Sequence, residues 1–401
     1  MEQQINKSSS AFLLGLFETG LGVARSLGNA GIKVYGYDHK KDIAYYSKYV
    51  KARICPHPKN QEREFIEFLI NESNHTNNKP VIYITGDEFI PAVTNNLELL
   101  QEHFLINSPN KTLIKSISNK LEQYLLAKKA GINVPKTIII KNENDIKSLI
   151  NELAFPIFIK GLDSNSWRKV FGGSKKGFVF NNKEELLSNT ELFLKKGIDT
   201  IAQELIEGPD SNHYKFCGYV DKDGILKASF CLRKIRQNPI HFGVGCLVES
   251  VNNNELTEIG KKFFFEINYR GVGSAEFKLD ERDKKYKLIE LNPRYWQQNY
   301  LSTFCGVNFP LIQYFDLTNQ PVKETLNYKT GIKWVNIYAD FDSFLAYRKE
   351  GSLNFIKWLQ SLKGKKVFSD WATNDIKPGF YEFRFGKRLF KLPFYLVKRM
   401  R

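Results

Sequence analysis

The sequence predicts a multidomain α/β protein: an N-terminal parallel unit, followed by strands that pair as antiparallel hairpins. Three observations carry this. From Ala11 to Asp38 an apolar strand, a glycine-bearing turn, a helix of period three to four and a second strand follow one another. Two later stretches, Cys217–Pro239 and Gly273–Arg294, alternate with period two on either side of an acidic turn cluster. A length of 401 residues is enough for two or three domains, each burying its own core.

Taken in order, AFLLGLFETGLGVARSLGNAGIKVYGYD reads as a strand (Phe12 to Leu16), a helix with Val23 and Leu27 on its apolar face, and a strand from Lys33 to Tyr37. Gly15, Gly20 and Gly22 lie near the first turn, but their spacing departs from GxGxxG. Glu18 in that turn would repel a pyrophosphate, so a dinucleotide site is disfavoured. VIYIT (Val81 to Thr85) continues the parallel unit. A boundary follows near Asn107–Lys111, and SISNKLEQYLLAKKAG reads as one helix ended by Gly131. NVPKTIII is a strand, KNENDIKSLINELA a capped helix, and FPIFIK a buried strand closed by Lys160. Gly172, Gly173 and Gly177 then form a loop between strand-like segments. A lysine closing an apolar strand beside a basic glycine loop suits phosphate binding, although lysines also end strands simply to reach solvent. The strand IAQELI ends at Glu207-Gly208-Pro209. The next hairpin turns at Asp221–Gly224 and runs into Arg233, Lys234 and Arg236, with a helix from Glu255 to Asn268 after it.

In GSAEFKLDERDKKYKLIELNPR the turn is DERDKK, and pairing Asp280 with Tyr286 sets Glu276 opposite Glu290. The same register sets Phe277 against Ile289 and Ala275 against Leu291, an apolar face for a core. The other face carries Glu276, Glu290 and Asn292. Like charges directly opposed are destabilising. A divalent cation between them removes that cost, and two carboxylates with an amide are hard oxygen ligands of the kind Mg2+ takes alongside phosphate. The other reading is an exposed hairpin with solvated charges, which Lys278 on the same face allows.

Composition narrows the classes. With 42% hydrophobic and 25% charged residues the chain is an ordinary globular protein. It has no membrane-length apolar run, and MEQQINKSSS lacks the apolar core of a signal peptide, so a cytoplasmic protein is expected. Cys55, Cys217, Cys231, Cys246 and Cys305 are scattered and without CxxC spacing, which argues against a disulfide framework or a zinc site. Much of the net charge of +16 sits after Glu382, on Arg384, Lys387, Arg388, Lys391, Lys398, Arg399 and Arg401. Interleaved with aromatic and leucine residues, this tail suits an anionic membrane surface or an acidic partner, or else an apolar strip docked on the body. No nucleic-acid-binding motif accompanies the charge.

The ordered series of Lys120 heading a helix that ends in AGINVP, Lys160 ending FPIFIK, the glycine-rich loop, QELIEGPD, and AEFKLD with KLIELNPR resembles the ATP-grasp superfamily, in particular its carboxylate–amine ligases. The resemblance covers about residues 10 to 315. It implies a Rossmann-like domain over 1–110, a small lid subdomain over 111–200 and a large subdomain with the metal site over 201–322. Residues 323–401 form an extension without counterpart in the minimal fold. It further implies that Lys120 and Lys160 contact ATP phosphates, and that Gly172, Gly173 and Ser174 belong to the lid loop running to Gly177. Gln203 would approach the adenine, Glu204 and Leu205 the hinge, and Asp210 the ribose. Glu276, Glu290 and Asn292 would hold Mg2+, two ions with Mn2+ as a substitute, and Arg294 would lie by the acceptor carboxylate or the transferred phosphoryl group. Lys234 and Arg236, two apart on one strand, share a face and suit phosphates or an acidic substrate, with plain solvation the alternative. His213 and His241 fall near this site as structural or substrate-shaping groups, and Trp296 as a pocket wall or core residue. The implied reaction is ATP-dependent activation of a small-molecule, peptide or glycan carboxylate for attack by an amine. The rivals are a nucleotide-binding regulatory module and an NAD-dependent oxidoreductase using the first βαβ unit.

Overall fold

The computed structural model describes residues 6–162, 164–172, 177–194 and 199–385, and these form three sheets. Strands β1 (Ala11–Leu14), β2 (Val34–Asp38), β3 (Val50–Ile54) and β4 (Val81–Ile84) make a parallel sheet in the order β3-β2-β1-β4. The order reverses at β1, which opens a crevice at the carboxyl ends of β1 and β4. Gly15 turns the chain there with φ +102°, and a Cβ on Gly20 would stand 2.2 Å from the Gly15 carbonyl oxygen. These glycines therefore serve a tight strand-to-helix turn. Asp38 is also absorbed locally, its Oδ2 accepting from the Leu16 N–H at 2.7 Å.

Strands β5 (Thr137–Ile140), β6 (Ile157–Gly161), β7 (Phe178–Phe180) and β8 (Thr200–Glu204) form a small antiparallel sheet, ordered β5-β8-β6-β7. Its last strand runs past the expected division at 200. The segment before the glycine loop, read above as strand-like, is a helix, Ser164–Phe171. Trp167 and Phe171 are four residues apart and share a helical face, with ring centroids at 4.2 Å, and both rings pack on Phe178.

The large sheet has seven strands: β9 (His213–Val220), β10 (Leu226–Asn238), β11 (Val244–Ser250), β12 (Gly271–Leu279), β13 (Tyr286–Asn292), β14 (Lys333–Val335) and β15 (Lys366–Phe368). They lie in the order β13-β12-β9-β10-β11-β14-β15. One face packs Phe216, Ala275, Phe277, Leu288 and Leu291 against Leu113, Ile117, Ala127, Leu256 and Phe263 of the neighbouring helices. The stretch read as a single helix through Lys120 is two helices, Lys111–Ser118 and Lys120–Lys129. Asn119 interrupts it: its side chain accepts from the Leu121 and Glu122 N–H groups at 3.0 and 3.2 Å. Lys120 thereby becomes the first residue of a capped helix.

The C-terminal extension adds β14 and β15 to this sheet and reaches back to the N-terminal unit. Arg25, 1% exposed, places Nε 3.0 Å from Asp375 and donates through Nη2 to the carbonyls of Asp370 and Asp375 at 2.6 and 3.0 Å. All five cysteines are buried and unpaired. Among the described residues no helix is long and apolar enough to cross a membrane. The basic tail from residue 386 onward lies outside the described residues.

Candidate active site

A cleft of about 450 Å3 lies between the small sheet and the seven-stranded sheet, within the range of small-molecule sites. Phe158, Lys160, Gln203, Glu204 and Leu205 face it from the small sheet and its end. Lys234, Glu276, Lys278, Ile289, Glu290, Asn292 and Arg294 face it from the large sheet, Lys120 from a helix start, and Asp87 from beyond β4.

The hairpin β12–β13 brings Glu276 opposite Glu290 and Ala275 opposite Leu291, as the alternation predicts. Beyond Glu276 the register shifts. Phe277 pairs with Leu288 rather than Ile289, and Leu279 rather than Asp280 pairs with Tyr286. The extra residue is a β-bulge at Ile289. It returns Leu288 to the core, fully buried, and turns Ile289 toward the cleft.

The two opposed carboxylates are balanced by lysines. Glu290 is paired with Lys120. Glu276 lies 2.9 Å from Lys215 Nζ and 3.2 Å from Lys234 Nζ. Burial acts to raise the Glu276 carboxyl, but the ammonium groups of Lys215 and Lys234 outweigh it and hold it well below the usual carboxylate range. For Glu290, burial and Glu276 act upward and Lys120 prevails, so its carboxyl is also lowered. Asn292, opposite Ser274 in the register, completes the face. Two carboxylates and an amide on adjacent ladder positions fit a hard divalent cation, with phosphate oxygens supplying further ligands.

On the other wall Lys160 Nζ donates to Gln203 Oε1 at 3.1 Å, and Gln203 Nε2 donates to Thr137 Oγ1 at 2.9 Å, which fixes the amide. Glu204 Oε1 accepts from the Lys136 N–H at 2.9 Å and from Lys287 Nζ at 3.0 Å, joining the small sheet to β13. The Leu205 N–H donates to the Pro156 carbonyl at 3.3 Å. Phe158 stacks on Phe242 with centroids 4.9 Å apart and planes at 11°, a contact across the cleft between the small sheet and the β10–β11 loop. Arg294 clamps Asp87 in two-point fashion at 2.5 and 2.9 Å. His213 also lines the cleft. Burial, with Lys234 and Lys278 nearby, lowers its pKa to about 4, so the ring is neutral near pH 7.

Three expected site residues among the described ones, Arg236, Asp210 and Gly172, do not line the cleft. In β10 the register shifts on both sides of Arg236, which separates it from Lys234. Lys234 faces the cleft, whereas Arg236 is buried against Asp340, with Nε to Oδ1 at 2.7 Å and Nη2 to Oδ2 at 2.9 Å. Asp210 is not among the cleft walls. Its carboxylate accepts from the Tyr347 hydroxyl and, at 2.8 Å, from the His241 N–H. Trp296 is core, 1% exposed and edge-on to Phe309. Gly172 has φ +91°, a value suited to glycine; Gly173 and Ser174 lie outside the described residues.

Among the residues the sequence reading passed over is Lys215, which stands against Glu276. Its signal was there: in HYKFCGYV alternation puts Lys215 on the face of Cys217 and Tyr219, an inward position for a charged side chain. Apart from the cleft, His39, His57 and Glu88 bring ligand-type atoms within 4.8 Å of one another beyond the ends of β2, β3 and β4. There His57 Nδ1 already accepts from the Lys59 N–H at 3.1 Å.

No family model matches the chain. A D-aspartate ligase of Enterococcus faecium (strain Aus0004) is 26% identical over 336 residues, covering 80% of this chain and 79% of that protein. The structure of N5-carboxyaminoimidazole synthetase from Staphylococcus aureus complexed with ADP matches with a TM-score of 0.62 at 18% identity, covering 82% of this chain and 81% of that chain. The biotin carboxylase domain of the Hydrogenobacter thermophilus 2-oxoglutarate carboxylase, in complex with MgADP, ADP and bicarbonate, matches with a TM-score of 0.59 at 18% identity, covering 80% of this chain and 72% of that chain.

Proposed function

We infer that this chain, whose fold is that of the ATP-grasp superfamily, is an ATP-dependent ligase that joins a carboxylate to an amine. The observation that carries the reading is the cleft itself. One wall presents Lys160 and Gln203, the other presents Glu276, Glu290 and Asn292, and Lys120 stands between. The similarity to a D-aspartate ligase over four-fifths of the chain supports the same reaction class.

In this reading the nucleotide lies between the two sheets. Gln203, Glu204 and Leu205 meet the base, Ile289 supplies an apolar wall, and Lys120 and Lys160 neutralise phosphate charge. Glu276, Glu290 and Asn292 hold Mg2+, with Mn2+ as a substitute. When bound, the ion screens charge on the γ-phosphoryl group. An oxygen of the acceptor carboxylate attacks the γ-phosphorus, the bond to the β–γ bridging oxygen breaks, and ADP leaves with that electron pair. The amine nitrogen then attacks the acyl carbon and loses a proton, and phosphate departs. Lys234 faces the transferring group, and Arg294 exchanges its hold on Asp87 for an acceptor carboxylate in the same two-point geometry. Neutral His213 donates or accepts a hydrogen bond without adding charge. The small sheet acts as the lid, and the Phe158–Phe242 contact closes it against water.

The test is a screen of amino acids, peptides and glycan carboxylates for ADP release, with hydroxylamine as the trapping amine. ADP formed only with a suitable acid, together with a hydroxamate product, is expected; AMP as the nucleotide product would overturn the mechanism.

A further inference from the structure

Four neighbouring strands carry a row of charged side chains beside the cleft, two carboxylates followed by two lysines. Glu290 on β13 faces Glu276 on β12, and Glu276 in turn faces Lys215 on β9 in the ladder. Lys234 on β10 closes the row. Each oxygen of Glu276 meets a separate ammonium, Oε1 with Lys215 and Oε2 with Lys234. Both lysines are almost fully buried, 5% and 7% exposed. They differ in access: Lys234 lines the cleft, whereas Lys215 stands behind the carboxylate and does not.

This arrangement has an electrostatic consequence. A cation approaching Glu276 with no phosphate present must displace an ammonium from a carboxylate already neutralised, in a site where water screens poorly. A polyphosphate changes that balance, because it offers new partners to Lys120 and Lys234, the lysines on the cleft side. Lys215 has no such path and keeps its hold on one oxygen, presenting the other outward. We propose that Lys215 is a positioning residue that couples metal capture to nucleotide binding: it holds Glu276 so that the metal enters as part of a nucleotide complex rather than alone. The proposal rests on the metal-holding role of Glu276 and Glu290 given above.

The experiment uses the full chain and Mn2+ as the probe, with free ion counted by electron paramagnetic resonance. Without nucleotide, Lys215→Gln tightens Mn2+ binding about tenfold relative to wild type, the effect of removing one close like charge. Lys215→Arg, which keeps the charge, binds as wild type does. Lys278→Gln, which removes a cleft lysine that is not paired with Glu276, changes affinity by less than about threefold. With the β–γ imido analogue of ATP present, the difference between wild type and Lys215→Gln narrows to below about threefold. Equal affinities for wild type and Lys215→Gln without nucleotide would overturn the proposal, as would an equal gain in Lys278→Gln. Failure of Mn2+ to bind either protein even with the analogue would sink the metal reading and this proposal with it. Mn2+ binding with the analogue, together with Lys215→Gln matching wild type both with and without nucleotide, would remove this proposal alone.

Discussion

Replacing Asp340 with asparagine is expected to destabilise the protein by about 3–5 kcal/mol, the cost of leaving a buried cation without its counter-ion. Asp340 is completely buried and its partner Arg236 has a side chain 5% exposed. The carboxylate takes two guanidinium donors, at 2.7 and 2.9 Å, and the Trp358 indole N–H at 2.8 Å. Asparagine keeps an acceptor for the indole at nearly the same volume, so no cavity opens and the loss isolates the charge. Guanidinium-chloride unfolding followed by tryptophan fluorescence gives the change in midpoint. The paired substitution Arg236→Met with Asp340→Leu removes both charges together and should return stability to within about 1 kcal/mol of wild type, or exceed it. A loss below about 1 kcal/mol in Asp340→Asn would refute the reasoning. Because Arg236 is not on the cleft, the paired variant should keep its rate of ADP release within about threefold; a loss of a hundredfold would restore Arg236 to the catalytic machinery.

Three further outcomes follow from the site. Glu290→Gln should lower ADP release by about a thousandfold or more while leaving the circular dichroism spectrum unchanged, and undiminished turnover would contradict the shelf. Phe242→Ala removes the ring stacked 4.9 Å from Phe158 and should raise the KM for ATP by roughly two- to tenfold with little change in stability; an unchanged KM would detach that contact from nucleotide binding. His213 has its pKa lowered from 6.5 to about 4 by burial first, with Lys234 and Lys278 adding to it. Between those values the unfolded chain binds a proton that the native protein does not, so the native state loses stability as pH falls through this window. Lowering the pH from 7 to 5 should cost about 2 kcal/mol on this account, and His213→Gln should lose that component; an identical pH slope in the variant would count against it.

Local pattern carried the opposed carboxylates of the site. Alternation alone placed Glu276 against Glu290, because side-chain period and turn composition fix a hairpin register over a few residues. The β-bulge at Ile289 is invisible to alternation and becomes legible only through packing, which needs Leu288 in the core. Arg236 was misplaced for a related reason: period two assumes an unbroken ladder, and the strand irregularity beside it reverses its face. Its true partner, Asp340, lies 104 residues away, in an extension that no local signal ties to β10. Asp210 was read through its place after a turn, whereas its partners Tyr347 and His241 are supplied by the same extension and by the β10–β11 loop. The split at Asn119 could have been read as a cap, since an asparagine before a run of helix formers satisfies the first free N–H groups. Lys215 was written in the alternation of β9, and its meaning came only from the neighbouring strand that sets Glu276 beside it.

The central claim is that a carboxylate oxygen attacks the terminal phosphorus of ATP. It is tested most directly by supplying the acid found in the screen with both carboxylate oxygens labelled as 18O and following the phosphate released on amide formation by mass spectrometry. One labelled oxygen per phosphate is expected. Unlabelled phosphate, or label appearing in AMP, would contradict the account.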